Sequence, residues 1–211
     1  MSSESTSGLT KANIIKQKNG KRKGSLFVVS GPSGTGKTTL IERFLKEDGN
    51  VMFSVSYTTR TPRKGEINGE DYFFVDEKKF LNMIEGGDFL EWENVHGHLY
   101  GTPKQEVFKI MHEGKDIMLD IDVKGAINVK KEFPGACLIF IEPPSKDELI
   151  KRLSLRGEQE IALRMKRVEE EIAKKDLFDY TIVNDKIDTA YEDFRHLIES
   201  EREKTYGKNN R

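Results

Sequence analysis

Short apolar, β-branched runs alternate along this chain with stretches whose apolar residues recur at helical spacing. Ser25 to Ser30 reads as a buried strand and Leu40 to Leu45 as the opening turns of a helix. Asn50 to Tyr100 holds three expected strands, Asn50 to Thr59, Asp71 to Asp76 and Asp88 to Tyr100, with a short helix at Glu77 to Glu85. The pattern then predicts a helix over Pro103 to Glu113, a strand over Asp116 to Asp122, a helix over Val123 to Phe133 and a strand over Ala136 to Pro144. Ser145 followed three residues later by Glu148 has the form of a capping box, opening a charged, nearly all-helical stretch to Leu177. Tyr180 to Asn184 is the last expected strand and Ile187 to Lys204 the last helix. Continuous apolar strands joined by helices imply an α/β fold, a parallel sheet covered on both faces. The more polar alternation of Asn50 to Thr102 implies a mostly antiparallel insertion, with Phe89, Leu90 and Trp92 as packing residues. Met1 to Gly24 reads as a flexible polar leader, an organelle-targeting role being the other reading, and Glu201 to Arg211 as a frayed helix end and tail.

Composition narrows the class. The 211 residues suffice for one sizeable α/β domain. A net charge of −1 argues against general nucleic-acid binding, which needs a basic excess. The single cysteine, Cys137, rules out an internal disulfide framework and lies in the apolar run 136–141, as an inert core thiol would. No apolar run is long enough to cross a bilayer and none resembles a signal peptide, so a cytoplasmic location is expected.

The chemistry concentrates after the first strand. Gly31, Pro32, Ser33, Gly34, Thr35, Gly36, Lys37, Thr38 and Thr39 satisfy G-x-x-x-x-G-K-[ST] between a strand and a helix, the context in which that spacing makes a phosphate cradle. The glycines let successive N–H groups converge on one anion, and the helix N-terminus adds partial positive charge. Lys37 can reach the β- and γ-phosphates and the Thr38 hydroxyl can ligate Mg²⁺.

Two charged clusters suit a phosphate substrate. Arg60 and Arg63 flank Pro62 in a loop where two planar guanidinium forks can meet one phosphate. Arg152, Arg156, Arg164 and Arg167 belong to the charged helical stretch; a solvated helix face is the plain reading, and a bound triphosphate gives them a purpose. Asp120 and Asp122 are expected on one face at the carboxyl end of a buried strand, where open parallel sheets bind ligands. His96 and His98 are spaced like metal ligands, but no cysteine or third histidine lies near them in sequence.

The stretches SGPSGTGKTT, SVSYTTRTPRKGEINGEDYFF, FLEWENVHGHLYGTP, IMLDIDVKGA, IEPPSKDELIKRLSLRG and IVND, in this order, resemble the guanylate kinase family over about Gly24 to Ile198. The resemblance implies a P-loop nucleoside monophosphate kinase core (25–55, 103–149 and 175–198), a mixed α/β GMP-binding insertion (56–102) and a small helical lid (150–174). It also implies transfer of the γ-phosphate of MgATP to GMP, and to dGMP, in purine nucleotide metabolism, with these small-molecule substrates as partners, no nucleic acid and no membrane, and with the oligomeric state open. Arg60, Arg63, Tyr72 and Tyr100 match positions that hold the 5′-phosphate of GMP. Ser56, Glu91 and Thr102 match positions that read guanine, and Asp120 completes that site. Arg152, Arg156 and Arg167 match lid positions that close over the phosphates, and Asn184 matches a position on the adenine side. The chain departs from the family's G-R-G-T-E run, reading L-R-G-E-Q at Leu155 to Gln159, which alters the lid loop. Two other readings are a monophosphate kinase for another base and a non-catalytic peptide-binding module. The presence of Lys37 speaks against the module.

Overall fold

In the computed structural model the described residues are 23–95, 97–155 and 161–209. The expectations for the leader up to residue 22, for His96 and for Arg156 therefore lie outside them.

Five parallel strands form the central sheet: β1 Leu26–Ser30, β2 Val51–Phe53, β7 Asp116–Asp120, β8 Cys137–Glu142 and β9 Tyr180–Val183. Their order is β2-β7-β1-β8-β9, with β1 in the middle. Strand alternation divides each apolar run between two cores. Phe27, Val29, Met118, Ile139 and Ile141 point to one face, where α1 (Lys37–Glu47) and α7 (Ile187–Asn209) bring Leu40, Phe44, Tyr191 and Phe194. Leu26, Val28, Ile117, Leu119 and Leu138 point to the other, under α3 (Lys104–His112) and α4 (Val123–Glu132). This two-faced burial is why the strands read as continuous apolar runs.

A second sheet, in the order β4-β3-β6-β5, joins β3 (Tyr57–Thr58), β4 (Phe73–Phe74), β5 (Phe89–Val95) and β6 (His98–Pro103). It is antiparallel except for the β3–β4 pair. Asp76 caps α2 (Glu77–Glu85) through the Lys79 N–H at 2.7 Å, and the buried Phe80 of that helix stacks on Phe89 at 4.5 Å.

Three sequence expectations need correction. Asp88 to Tyr100 is a hairpin, β5 and β6, turning through Gly97 at φ +81, with Asn94 Oδ1 accepting the Gly97 N–H at 3.0 Å. The run from Phe89 to Tyr100 contains no Asn-Gly, Asp-Gly or proline to mark the turn, which hides it. Asn50 to Thr59 splits between the two sheets as β2 and β3, since its polar centre, Ser54 to Ser56, passes from one to the other. The strand expected to run to Asp122 stops at Asp120; Asp122 instead caps α4, accepting the Lys124 and Gly125 N–H groups.

The charged stretch forms α5 (Lys146–Leu155), α6 (Ile161–Ile172) and a 3-10 turn at Lys175–Leu177. Leu149, Leu153 and Val168 give the hairpin its own small core. Ser145 Oγ accepts the Glu148 N–H at 3.1 Å, half of the expected capping box, while the Glu148 carboxylate turns to Arg152 at 3.0 Å.

The helix expected over Ile187 to Lys204 is α7, which passes through Glu201. It continues to Asn209, and Arg202 forms ion pairs with Asp48 at 2.5 Å and with Asp116, whose side chain is 0% exposed, at 2.6 Å. Asp116 also accepts the Ser25 N–H at 2.7 Å, so one buried carboxylate ties the start of β1 to the end of α7.

Candidate active site

The turn after β1 is built to leave N–H groups pointing outward. Gly36 precedes α1 at φ +88, and a Cβ there would lie 2.4 Å from Asn184 Nδ2, so no other residue fits. That Asn184 amide donates to the Thr35 carbonyl at 2.7 Å, and Thr35 Oγ1 donates to the Pro32 carbonyl at 2.9 Å. Asn184 is thus a brace beneath the loop. Gly36 supplies no side-chain cap, leaving the first turn of α1 open to an anion. Lys37 Nζ folds over the loop and donates to the carbonyls of Gly31 (2.7 Å) and Pro32 (3.1 Å). Thr38 and Thr39 are exposed on that first turn. Among the described residues no group of three or more His, Cys, Asp or Glu could hold a metal ion. The exposed Thr38 hydroxyl is an oxygen donor of the kind that Mg²⁺ takes.

A cavity of about 320 Å³ opens beside Lys37, where Gly31, Ser33 and Asp120 of the core meet Glu91 and Tyr100 of the second sheet and Ser56 and Tyr72, which directly precede its strands β3 and β4. Glu91 is 7% exposed and accepts the Thr102 hydroxyl at 2.6 Å. Burial pushes its pKa up to about 7 against the opposing pull of that hydrogen bond. Room for its carboxylate comes from Gly125 in α4, where a Cβ would stand 2.7 Å from Glu91 Oε2. Burial also raises the pKa of Asp120, and the charge of Lys37 offsets part of this.

Arg60 stands behind the cavity wall. Its Nε donates to the Tyr100 hydroxyl at 3.2 Å, and its guanidinium lies 5.4 Å from the Tyr72 ring. Tyr72 and Tyr100 meet edge to face at 5.8 Å. Arg63 lies on the exposed part of the same loop. Arg152 donates to Glu148 and to the carbonyls of Asn184 (3.0 Å) and Asp185 (3.4 Å), which places it beside the phosphate loop's brace. Arg167 lines an adjoining cavity of about 290 Å³ between α6, β5 and the start of α4.

Sequence reasoning missed three contributors. Glu171 of α6 lines both cavities, and burial raises its pKa. Its spacing of four from Arg167 was the available signal. Gly125 follows an aspartate cap and looks like an ordinary first-turn residue. Glu66 binds Arg60 and resembles a solvated loop charge.

Comparison with known proteins agrees with this geometry. The family model for guanylate kinase matches residues 23–201. Guanylate kinase of Thermotoga maritima is 46% identical over 185 residues, 86% of this chain and 89% of that protein. Guanylate kinase of Prochlorococcus marinus is 44% identical over 178 residues, 83% of this chain and 97% of that protein. The crystal structure of guanylate kinase from Anaplasma phagocytophilum superposes with a TM-score of 0.71 at 32% identity, over 86% of this chain and 88% of that one. With a phosphate loop facing a buried carboxylate across one cavity, and with relatives over most of its length, this chain belongs to the guanylate kinase family of phosphotransferases.

Proposed function

We propose that the protein transfers the γ-phosphoryl group of ATP to GMP, and also to dGMP, yielding ADP and the nucleoside diphosphate, in purine nucleotide metabolism in the cytoplasm. The observation that carries this is the placement of Glu91 and Lys37 on one cavity. Guanine offers N1–H and N2–H₂ as adjacent donors, and an ionised Glu91 accepts both. Adenine offers an N1 lone pair there, leaving a buried carboxylate facing an acceptor, a mismatch that can cost ~10⁴-fold in selectivity. Ser56 and Thr102 assist in reading the base, and Asp120 lies at the meeting of the two substrates.

The donor's phosphates rest on the loop Gly31 to Thr39, with Lys37 leaving the carbonyls of Gly31 and Pro32 to reach them. Thr38 would hold Mg²⁺, which when bound neutralises charge between the β- and γ-phosphates. Arg60, Arg63, Tyr72 and Tyr100 orient the acceptor phosphate. With a second pKa near ~6 that phosphate is already mostly a dianion at neutral pH, so no general base is required. Positioning and charge stabilisation then do the chemistry.

Arg152, Arg156 and Arg167 approach the transferring group as 150–174 closes over the site and excludes water. Leu149 and Leu153 seat α5 against the phosphate loop, since a Cβ on Gly34 would touch both at 3.1 Å, which keeps the arginine-bearing hairpin beside the site. Core 25–55, 103–149 and 175–198, insertion 56–102 and lid 150–174 are the parts that this movement relates. Among the described residues no helix is long and apolar enough to cross a membrane.

The test is ADP release from MgATP with GMP, dGMP, AMP, CMP, UMP and dTMP in parallel. Activity confined to GMP and dGMP is expected, and Glu91→Ala should erode that preference. Equal turnover of AMP, or unchanged discrimination in the Glu91 variant, overturns the base-reading assignment.

A further inference from the structure

Glu66 sits in a tight turn, its N–H donating to the Arg63 carbonyl at 3.1 Å, with Gly65 at φ +94. The turn sends its carboxylate back toward the residues that precede it. Oε1 accepts from Arg60 Nη2 at 2.8 Å. Oε2 accepts from Arg60 Nη1 at 3.0 Å and from the Arg63 backbone N–H at 2.6 Å. Both side chains of this ion pair are largely covered, at 10% and 18% exposure.

Arg60 is committed further. Nη1 also donates to the Thr61 carbonyl at 2.8 Å, and Nε donates to the Tyr100 hydroxyl at 3.2 Å. A guanidinium carries about five N–H donors. These contacts occupy all but one, on Nη2. Because the Tyr100 oxygen accepts from Arg60, its own O–H is turned elsewhere, and Tyr100 lines the cavity. Glu66 also balances the charge of Arg60, so what this arginine offers a phosphate is fixed geometry more than net charge.

We propose that Glu66 is a positioning residue for the acceptor phosphate, gripping the Arg60 guanidinium and the Arg63 main chain together so that Arg60 and Tyr100 meet the phosphate already oriented. The inference rests on the reading of Arg60, Arg63 and Tyr100 as the phosphate site. Fixing these groups beforehand removes an ordering cost from binding. The opposing idea is that the carboxylate imitates the phosphate and must be displaced by it. The two ideas predict opposite signs.

The experiment measures KM for GMP, KM for ATP and kcat in the wild type, Glu66→Gln, Arg60→Ala and the double variant, with thermal midpoints as a check on folding. Glutamine keeps the size and one acceptor but sets an N–H₂ group against the guanidinium. Glu66→Gln is expected to raise KM for GMP about tenfold while KM for ATP stays within about twofold, the loss expected from a charged hydrogen bond. In the Arg60→Ala background the same change should shift KM for GMP by less than about twofold, because its route is gone. A fall in KM for GMP identifies a displaced mimic and overturns the proposal, and an unchanged KM reduces Glu66 to a loop strut. A full tenfold effect without Arg60 shows that the carboxylate acts by another route, which also overturns it. If Arg60→Ala alone leaves KM for GMP at its wild-type value, the phosphate assignment beneath the proposal fails, separately from any Glu66 result.

Discussion

Acidifying the medium should loosen the protein's hold on GMP, because the group assigned to the guanine edge is a buried carboxyl. Glu91 is 7% exposed, and burial pushes its pKa up to about 7 from an ordinary 4.5, helped by the charges of Asp122 and Glu93 and opposed by the Thr102 hydroxyl. Only the ionised form accepts both guanine donors. With that pKa about nine-tenths of Glu91 is ionised at pH 8, about half at pH 7 and about one-tenth at pH 6. KM for GMP is therefore expected to rise about tenfold from pH 8 to pH 6. The nucleotide's own phosphate, with a pKa near ~6, adds no more than about a factor of two. The assay is initial ADP release at saturating MgATP across that range, for the wild type and Glu91→Gln. The glutamine variant should start weaker and vary by no more than that factor. If wild type and variant share one slope, Glu91 does not titrate during GMP recognition and the reasoning is refuted. The stability linkage has the opposite sign. A carboxyl whose folded pKa is raised contributes stability that is complete below about 4.5 and lost as pH rises through about 7, here up to about 3 kcal/mol. Asp120 and Glu171, also raised by burial, act in the same direction. Without ligand, thermal stability should fall from pH 5 to pH 8 while affinity for GMP improves.

Lys37→Ala should abolish turnover, by ~10³-fold or more, and leave the fold intact by circular dichroism, since the lysine's own contacts are two loop carbonyls. Gly125→Ala places a Cβ 2.7 Å from Glu91 Oε2, so KM for GMP should rise about tenfold with KM for ATP unmoved; equal effects on both would mean a general disturbance. Arg202→Ala breaks the ion pairs to Asp48 and to the fully buried Asp116 and should cost about 3 kcal/mol in urea unfolding, with little change in kcat.

Much of this architecture was legible because burial on both faces leaves an unmistakable trace. Leu26 to Val29, Ile117 to Leu119 and Leu138 to Ile141 have no polar interruption, and each is a central strand. The phosphate loop was legible because its glycines and lysine are needed at fixed spacing. What escaped depends on contacts between distant segments. The turn at Gly97 was invisible because its glycine stands between histidines, with no Asn-Gly, Asp-Gly or proline to mark a hairpin. Asp122 looked like a strand residue because no local signal separates the end of a strand from the cap of the next helix. Arg202 sat in a charged helix, and nothing near it in sequence announces Asp48 or Asp116. Gly125 is needed only because Glu91 reaches across from the other sheet.

The clamp at Arg202 has a consequence for the order in which this molecule is made. Asp116 begins the strand beside β1, yet a cation that it binds, Arg202, lies 86 residues later, in α7. Breaking an ion pair at a buried carboxylate costs a few kcal/mol. During synthesis from the N-terminus, the flank of the central sheet made by β2 and β7 thus remains incomplete until α7 has left the ribosome. Protease resistance of chains ending just before and just after Arg202 reads this directly, with a sharp gain expected between the two. The nucleotide-binding loop is translated well before the arginine that closes the sheet carrying it.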